Sequence, residues 1–447
     1  MALAATACAP EVEGGDGWSD ASASSSSSAG AGGATARTSA TSSEVAVSSS
    51  GATSSATVTS SSAATTGAGG GASCAGAGCL EWMHLEGASS DDGTEAIAVD
   101  ASGNVLAAGF FEGTMNVDGL GSFTSDGGND AFVVKYSPAG APLWIRTFGG
   151  GDDDACEGLA VDARGNVFVV GYYGGSVPFD ATTLTADAEQ AAFVAELDPS
   201  GGVVWARSLS TGSALDMRLA LAPATGPAGE RVVVARQSAD FDALTLTSLS
   251  ESGDTVVDAA FSATGGELTS EDVAVDSEGN VVLVGELEGS TSFGGARLTS
   301  AGGRDGFIAK FDASGAHLWS KIFGDAHDQY ANSIASDAQG NLALCGAIYG
   351  SADLGGGTLT ASGDADVMIA MLDPSGGHLW SRVVGDRGSQ SCRRVARDAA
   401  GSVLLTGWIE GHADFGGGAL TSSGGDDLFL VKLDATGAFV WGRLGGD

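Results

Sequence analysis

The hydrophobic positions of this chain fall in short runs, four to a unit, and the unit recurs about every sixty residues. In the first unit the runs are 96–100, 104–110, 131–136 and 143–148, rich in Val, Leu, Phe and Ala. Gly, Asp, Asn and Ser-Gly turns bound them, which is the punctuation of β-strands. No run is long enough for a capped amphipathic helix. The clearest copy runs from Asp305 to Gly346: an apolar run (307–311), a tight Asp-Ala-Ser-Gly turn (312–315), a run carrying Trp319, an acidic connection (324–330), then a run ending at Asp337.

The turns repeat as faithfully as the runs. The first and second strands are joined by DASGN (100–104), DARGN (162–166), DSEGN (276–280), DAQGN (337–341) and DAAGS (398–402). The third and fourth are joined by SPAG (137–140), DPSG (198–201), DASG (312–315), DPSG (373–376) and DATG (434–437). Pro pre-sets the first turn angle, Gly accepts the positive one, and the leading Asp can accept backbone N–H bonds. Turn chemistry therefore accounts for these aspartates without catalysis.

Tryptophans mark the period. Trp82, Trp144, Trp205, Trp319, Trp380 and Trp441 are separated by 62, 61, 114, 61 and 61 residues, and the long gap holds two units, with Val257 where Trp is expected. The third unit is short: it lacks the segment that others carry between second and third strands, such as GGARLTSAGGRD (294–305). About ten residues are thus decoration on a four-stranded core. Four antiparallel strands per repeat predict an all-β fold, a β-propeller. Six sets can be counted: about 94–149, 155–210, 216–263, 271–324, 331–385 and 392–445. A spare fourth-strand copy stands at 80–85. Six blades are preferred and seven remain an alternative, because a ring must close to hide its sheet edges.

Composition divides the 447 residues. Residues 9–79 are almost entirely Ser, Ala, Gly and Thr and cannot offset their conformational entropy, so a disordered linker is expected there, ahead of a propeller domain at 80–447. The formal net charge is −37. Residues 1–79 hold five acids and one Arg, which leaves −33 on the repeats. Such a surface argues against nucleic acid and anionic lipid as partners. No stretch is long and apolar enough to span a membrane. MALAATAC (1–8) is similar to the end of a bacterial lipoprotein signal, so 1–8 is read as a signal remnant and Cys8 as a lipidation site. Ala5 departs from the usual Leu, and no charged or full apolar region precedes the cysteine. Cys74 and Cys79 could close a small disulfide loop in an oxidising compartment. Cys345, in an apolar run, is expected to be a small buried hydrophobe rather than a reactive thiol.

GNVLAAG, GNVFVVG and GNVVLVG, followed by DAFVVKYSPAG or DGFIAKFDASG and then LW, resemble the SBBP-type (seven-bladed) bacterial β-propeller repeats, over residues 80–447. The resemblance implies an extracytoplasmic propeller, secreted or lipid-anchored, with no shared catalytic site. DATGAFVW (434–441) and DASGAHLW (312–319) resemble the tryptophan-docking motif of pyrroloquinoline-quinone dehydrogenases, in which a Trp packs onto the neighbouring blade. No adjacent cysteine pair accompanies it, so the likeness argues for blade packing and not for a quinone.

In a four-stranded meander the 1–2 and 3–4 turns share one face, and the 2–3 and 4–1 loops share the other. The second face is varied and acidic, and function concentrates in variable loops. Non-catalytic binding or scaffolding on that face, by a monomer recognising a protein or carbohydrate ligand at the cell envelope, is the leading expectation. The alternatives are an enzyme (lyase, hydrolase or quinoprotein-like) at the central channel, and a structural adhesion or matrix component. No catalytic residue and no cofactor is assigned. The candidate Ca²⁺ ligands are Asp152, Asp153, Asp154, Asp426 and Asp427, paired carboxylates beside Gly, although their spacing fits no defined ligand set. The five histidines do not cluster, and HExxH, GxSxG and P-loop motifs are missing. Mass spectrometry of the membrane fraction should find Cys8 acylated; an unmodified, soluble N-terminus would refute the anchor.

Overall fold

A computed structural model describes residues 92–209, 214–222, 231–398 and 400–446, together with the strands Leu3–Ala4 and Met83–His84. Cys8, Cys74, Cys79 and the Ser/Ala-rich linker lie outside the described residues. Those that are described build six four-stranded antiparallel sheets, each in the order first, second, third, fourth strand. The blades begin with Asp92–Val99, Ala155–Val161, Ala214–Ala222, Asp272–Val275, Gln329–Ser336 and Gln390–Arg397, and end with Pro142–Phe148, Val203–Ser208, Thr255–Ser262, His317–Phe323, His378–Val384 and Phe439–Gly445. The chain is a six-bladed β-propeller with no helix among these residues. The decoration between second and third strands is a small hairpin in five blades, for example Thr114–Val117 with Gly121–Thr124, and is missing from the third.

The first strands run side by side around the axis and the fourth strands form the rim. Apolar clusters fill five junctions between neighbouring blades. Within the ring the second and third strands are buried on both faces, as Val367–Leu372 shows, because the sheet is sandwiched between two others; in the sixth blade alternate residues of Asp427–Leu433 are exposed. Burial of this kind contributes roughly 25 cal/mol per Å² of apolar surface.

The tryptophans join the blades. The Trp319 indole N–H donates to the Pro374 carbonyl of the next blade at 3.1 Å. Its ring lies so close to Gly376 that a Cβ there would sit 3.2 Å from it, and Gly376 has φ +80°. Glycine is therefore required twice, for the turn and for the approach. Trp144 repeats this on Pro199 and Gly201, Trp205 on Glu251 and Gly253, and Trp380 on Ala435 and Gly437. Val257 occupies the same place over Gly315 without an N–H to give. The residue before each wedge is bulged out of the ladder and exposed: Leu143, Val204, Val256, Leu318, Leu379 and Val440.

The turn aspartates do the work that turn chemistry assigns them. Asp312 Oδ1 accepts the N–H groups of Ser314 and Ala316. In the 1–2 turns the second oxygen takes a buried cation from the third strand: Lys135 on Asp100 at 2.9 Å and Lys310 on Asp276 at 2.8 Å. Burial opposes ionisation of Asp100, yet Asn104 and Lys135 hold its carboxyl down at about 2. In the fifth blade Met371 stands at the lysine position, and Arg397 reaches back from the sixth blade to Asp337 at 2.9 Å.

One expectation is corrected. Cys345 is not a lone buried thiol: it is disulfide-bonded to Cys392, 47 residues on. Cys345 lies on the second strand of the fifth blade and Cys392 on the first strand of the sixth, so the bond crosses a junction that sequence distance concealed. Cys156, at the position of Cys392 on the second blade, is free because Ala108 stands where the first blade would need its cysteine.

Replacing Trp319 by Ala should destabilise the fold by about 2–3 kcal/mol, from lost burial and an orphaned carbonyl. Val257→Ala, which has no N–H to lose, should destabilise less; chemical denaturation of the two variants tests the difference.

Candidate functional site

The loop face and the adjoining end of the channel were the expected site, and the loop acids prove to be mostly braces. Asp154 is buried, and its oxygens accept the N–H groups of Gly150 (2.8 Å) and Gly174 (3.0 Å). Gln329 and Gln390 fill the same position in the fifth and sixth blades. There the side-chain oxygens accept from Asp325 N and Asp386 N, and the amides donate to the Tyr349 and Glu410 carbonyls. Asp154 is thus the acidic version of a structural glutamine. Asp153 is exposed and accepts the Asn129 N–H at 3.1 Å. Asp152 is exposed beside Gly174 and Gly175. Asp427 is buried and accepts Ser423 N at 2.9 Å, while Asp426 beside it is exposed. The two sets of candidate Ca²⁺ ligands lie on different blades, each engaged in its own loop. Among the described residues no three His, Cys, Asp or Glu side chains converge as a metal site would require.

A different set stands at equivalent positions around the ring, and sequence reading missed it. Each first strand carries one bulged residue near its loop end: Glu95, Glu157, Asp216, Asn332 and Arg393, where the ladder skips a position. Glu271 falls at the same offset in the fourth blade, just before Asp272–Val275. A bulge re-aims its side chain, and on the innermost strands this places one such position per blade around the channel. The signal was present: wherever the 1–2 turn begins with Asp, the bulge lies five residues before it. Its residue type varies around the ring, so no motif announces it.

The ring is stitched across blades. Asn332 Nδ2 donates to the Cys392 carbonyl at 2.7 Å, Arg394 donates to the Asn332 carbonyl, and Arg218 Nε donates to the Glu271 carbonyl at 2.6 Å. Asp272 Oδ2 accepts from Ser333 Oγ and Ile334 N. The charge is uneven: Glu95, Glu157 and Glu271 lie on the first, second and fourth blades, whereas Arg393 and Arg394 lie on the sixth.

Titration follows from this crowding. Burial, then Glu157, Asp153 and Glu95, push the Tyr172 phenol up to about 12. Glu286, on the second strand of the fourth blade, is fully buried beside Glu271, and both effects raise its carboxyl well above the usual range. Thr269 Oγ1 donates to its other oxygen at 2.7 Å. Two carboxyl groups so placed resist ionising together. Tyr330 lies next to them, pushed up to about 12 by burial and then Asp328. A separate groove of about 680 Å³ opens on the turn face, lined by Asp337, Met371, Trp380, Arg397 and Ala435. Its walls are turn and wedge residues already in use.

Six four-stranded sheets with this topology make the chain a repeat protein of the β-propeller class. Its likeness to known proteins is distant. No family model matches. An uncharacterized WD repeat-containing protein of Acanthamoeba polyphaga mimivirus is 26% identical over 129 residues, which span 25% of this chain and 9% of that protein. A puromycin hydrolase structure aligns with 79% of this chain and 53% of its own at TM-score 0.42 and 12% identity. A Synechocystis apocarotenoid oxygenase aligns with 76% and 68% at TM-score 0.40 and 12% identity. Likeness at this level does not carry function across.

Burial holds the Asp154 carboxyl at about 7, against the pull of two amide donors, with Asp130 and Asp152 adding to the rise; burial holds Asp130 at about 6 against the Asp126 amide, with the Asp126 charge adding to the rise. Both values lie above the ordinary 3.8, so the folded chain keeps protons that the unfolded chain releases. Stability from these groups is therefore complete below about pH 4 and is lost as pH rises through 6 and 7. The melting temperature should fall from pH 5 to pH 8. Asp154→Asn, although it removes one acceptor, should flatten that fall; an unchanged slope would refute the assignment.

Proposed function

We propose that this chain is a non-catalytic, extracytoplasmic binding or scaffolding propeller, whose acidic loop face and channel mouth hold a cationic segment of another protein. The observation that carries the reading is the bulge ring, which sets Glu95, Glu157 and Glu271 around one end of the channel on a frame that five filled junctions keep rigid. Preorganised like charges focus the local field and favour an oppositely charged ligand. The −33 carried by the repeats extends the same field outward and excludes polyanions. The Cys345–Cys392 bond supports an oxidising compartment, where disulfides persist. The lipid anchor at Cys8 would tether the binding face to the envelope through the linker.

A second reading, an enzyme at the channel, draws on the Glu271–Glu286 pair. A carboxyl held neutral beside a carboxylate is the pairing that acid–base hydrolysis or elimination uses. Glu286→Gln would separate the two readings, because it removes the inner carboxyl and leaves the outer ring in place: loss of turnover would favour the enzyme, unchanged cation binding the scaffold.

Calorimetry of the full chain with hexalysine should show binding that weakens between 50 mM and 500 mM salt. Glu95→Gln/Glu157→Gln should weaken it further while the melting temperature stays within a few degrees. No heat at low salt, or binding indifferent to salt and to both substitutions, would sink this reading.

A further inference from the structure

The groove of about 680 Å³ on the turn face lies where one residue departs from a pattern. The third-strand position opposite the wedge is Lys135 in the first blade, Lys310 in the fourth and Lys432 in the sixth. In the fourth blade this lysine bridges two turns. Its Nζ lies 2.8 Å from Asp276 and donates to the Pro374 carbonyl of the next blade at 3.0 Å. The fifth blade has Met371 there, opposite Trp380. The Ala435 carbonyl, counterpart of Pro374, then has one donor among the described residues, the Trp380 N–H at 3.2 Å. Arg397 replaces the lysine on Asp337, and its Nη1 donates to the Met371 sulfur at 3.0 Å, but it leaves that carbonyl alone.

We propose that this groove binds a neutral saccharide of about one or two rings, a size within the range of small-molecule sites. Its walls belong to two blades: Gln339, Met371 and Trp380 to the fifth, Asp398, Ala400 and Ala435 to the sixth. The Cys345–Cys392 bond crosses the same junction, so the separation of the walls is set before a ligand arrives. The two carboxylates in the walls are already matched, Asp337 by Arg397 at 2.9 Å and Asp398 by Lys432 at 3.0 Å. A cation therefore finds no unpaired acid there, and the net charge of −37 on the whole chain repels an anion.

The walls also differ in polarity. Met371, the exposed Leu379 and the half-buried Trp380 form an apolar side, and Gly437 covers only part of the indole. The polar side holds the Ala435 carbonyl, Asp398 and Gln339, which is bonded through its backbone N–H and keeps its side chain free. A sugar ring has the same division, with C–H patches that lie on an indole and hydroxyl groups that both donate and accept. A wholly apolar ligand would strip water from the polar side and replace none of its hydrogen bonds. An extended peptide needs a strand edge to pair with, and these polar walls are turns.

The full chain should bind neutral oligosaccharides on a glycan array. Calorimetry with the best of them should give the same affinity at 50 mM and 500 mM salt, since no charge pair forms. Ala400→Arg puts a long side chain at the groove, in a turn position where the second blade carries Arg164. It should weaken binding by about tenfold or more and leave the melting temperature unchanged. Gln339→Ala, on an exposed turn, should weaken binding several-fold. Glu95→Gln/Glu157→Gln, at the opposite face, should not alter it, so this site and hexalysine binding stand or fall separately. An array with no neutral glycan bound, a preference for charged glycans, or an affinity indifferent to both groove substitutions would each overturn the assignment.

Discussion

An indole laid over a glycine of the next blade is the contact on which the rest depends. A single four-stranded sheet has two apolar faces and cannot bury either alone, so each blade is stable only between neighbours. The tryptophan fixes the spacing and rotation of that neighbour by three demands at once: a flat ring needs a flat site, the N–H needs a carbonyl, and the turn needs a residue with positive φ. Trp144, Trp205, Trp319 and Trp380 meet all three. The turn aspartates, the buried Lys–Asp pairs and the exposed residue before each wedge then follow, since they hold the receiving turn at the height where the ring arrives.

Much of this was legible in the sequence. The blades could be counted because their turns are local, and a local turn is written in adjacent residues such as DASGN or DPSG. The missing hairpin in the third blade could be read as a deletion for the same reason. What could not be read depends on which residues meet across a junction. Cys345 and Cys392 are 47 residues apart on separate strands, and nothing near either names the other. Asp154 reads in the sequence as one of a run of carboxylates, and its equivalence with Gln329 and Gln390, between two loops, appears only in three dimensions. The bulge ring was hidden differently. Its offset from the turn is constant, but its residue types range from glutamate to arginine, and only the skipped rung of the ladder reveals that the positions are equivalent.

The acidic surface divides into three populations with different chemistry. The turn aspartates are held ionised by backbone donors, and in several blades by a buried cation as well. The loop carboxyls Asp130, Asp154 and Glu286 are pushed the other way by burial, so the same residue class both strengthens and strains the fold. What remains, on loop tips and at the bulge positions, is the share available to a ligand, and it is smaller than the total. Net charge alone would have overstated it.

Val257 gives the ring a mechanical weak point. A clasp without its pin joins the third blade to the fourth, while the fifth and sixth are bonded covalently through Cys345 and Cys392. If the N-terminal linker were tethered to a surface and a ligand pulled at the other side, the junctions would share the tension unequally. Of the five filled junctions, the one between the third and fourth blades would part first, into halves of three. The half farther along the chain would keep its last two blades locked together, and in the half nearer the tether Cys156, packed between the first and second blades, would stay buried.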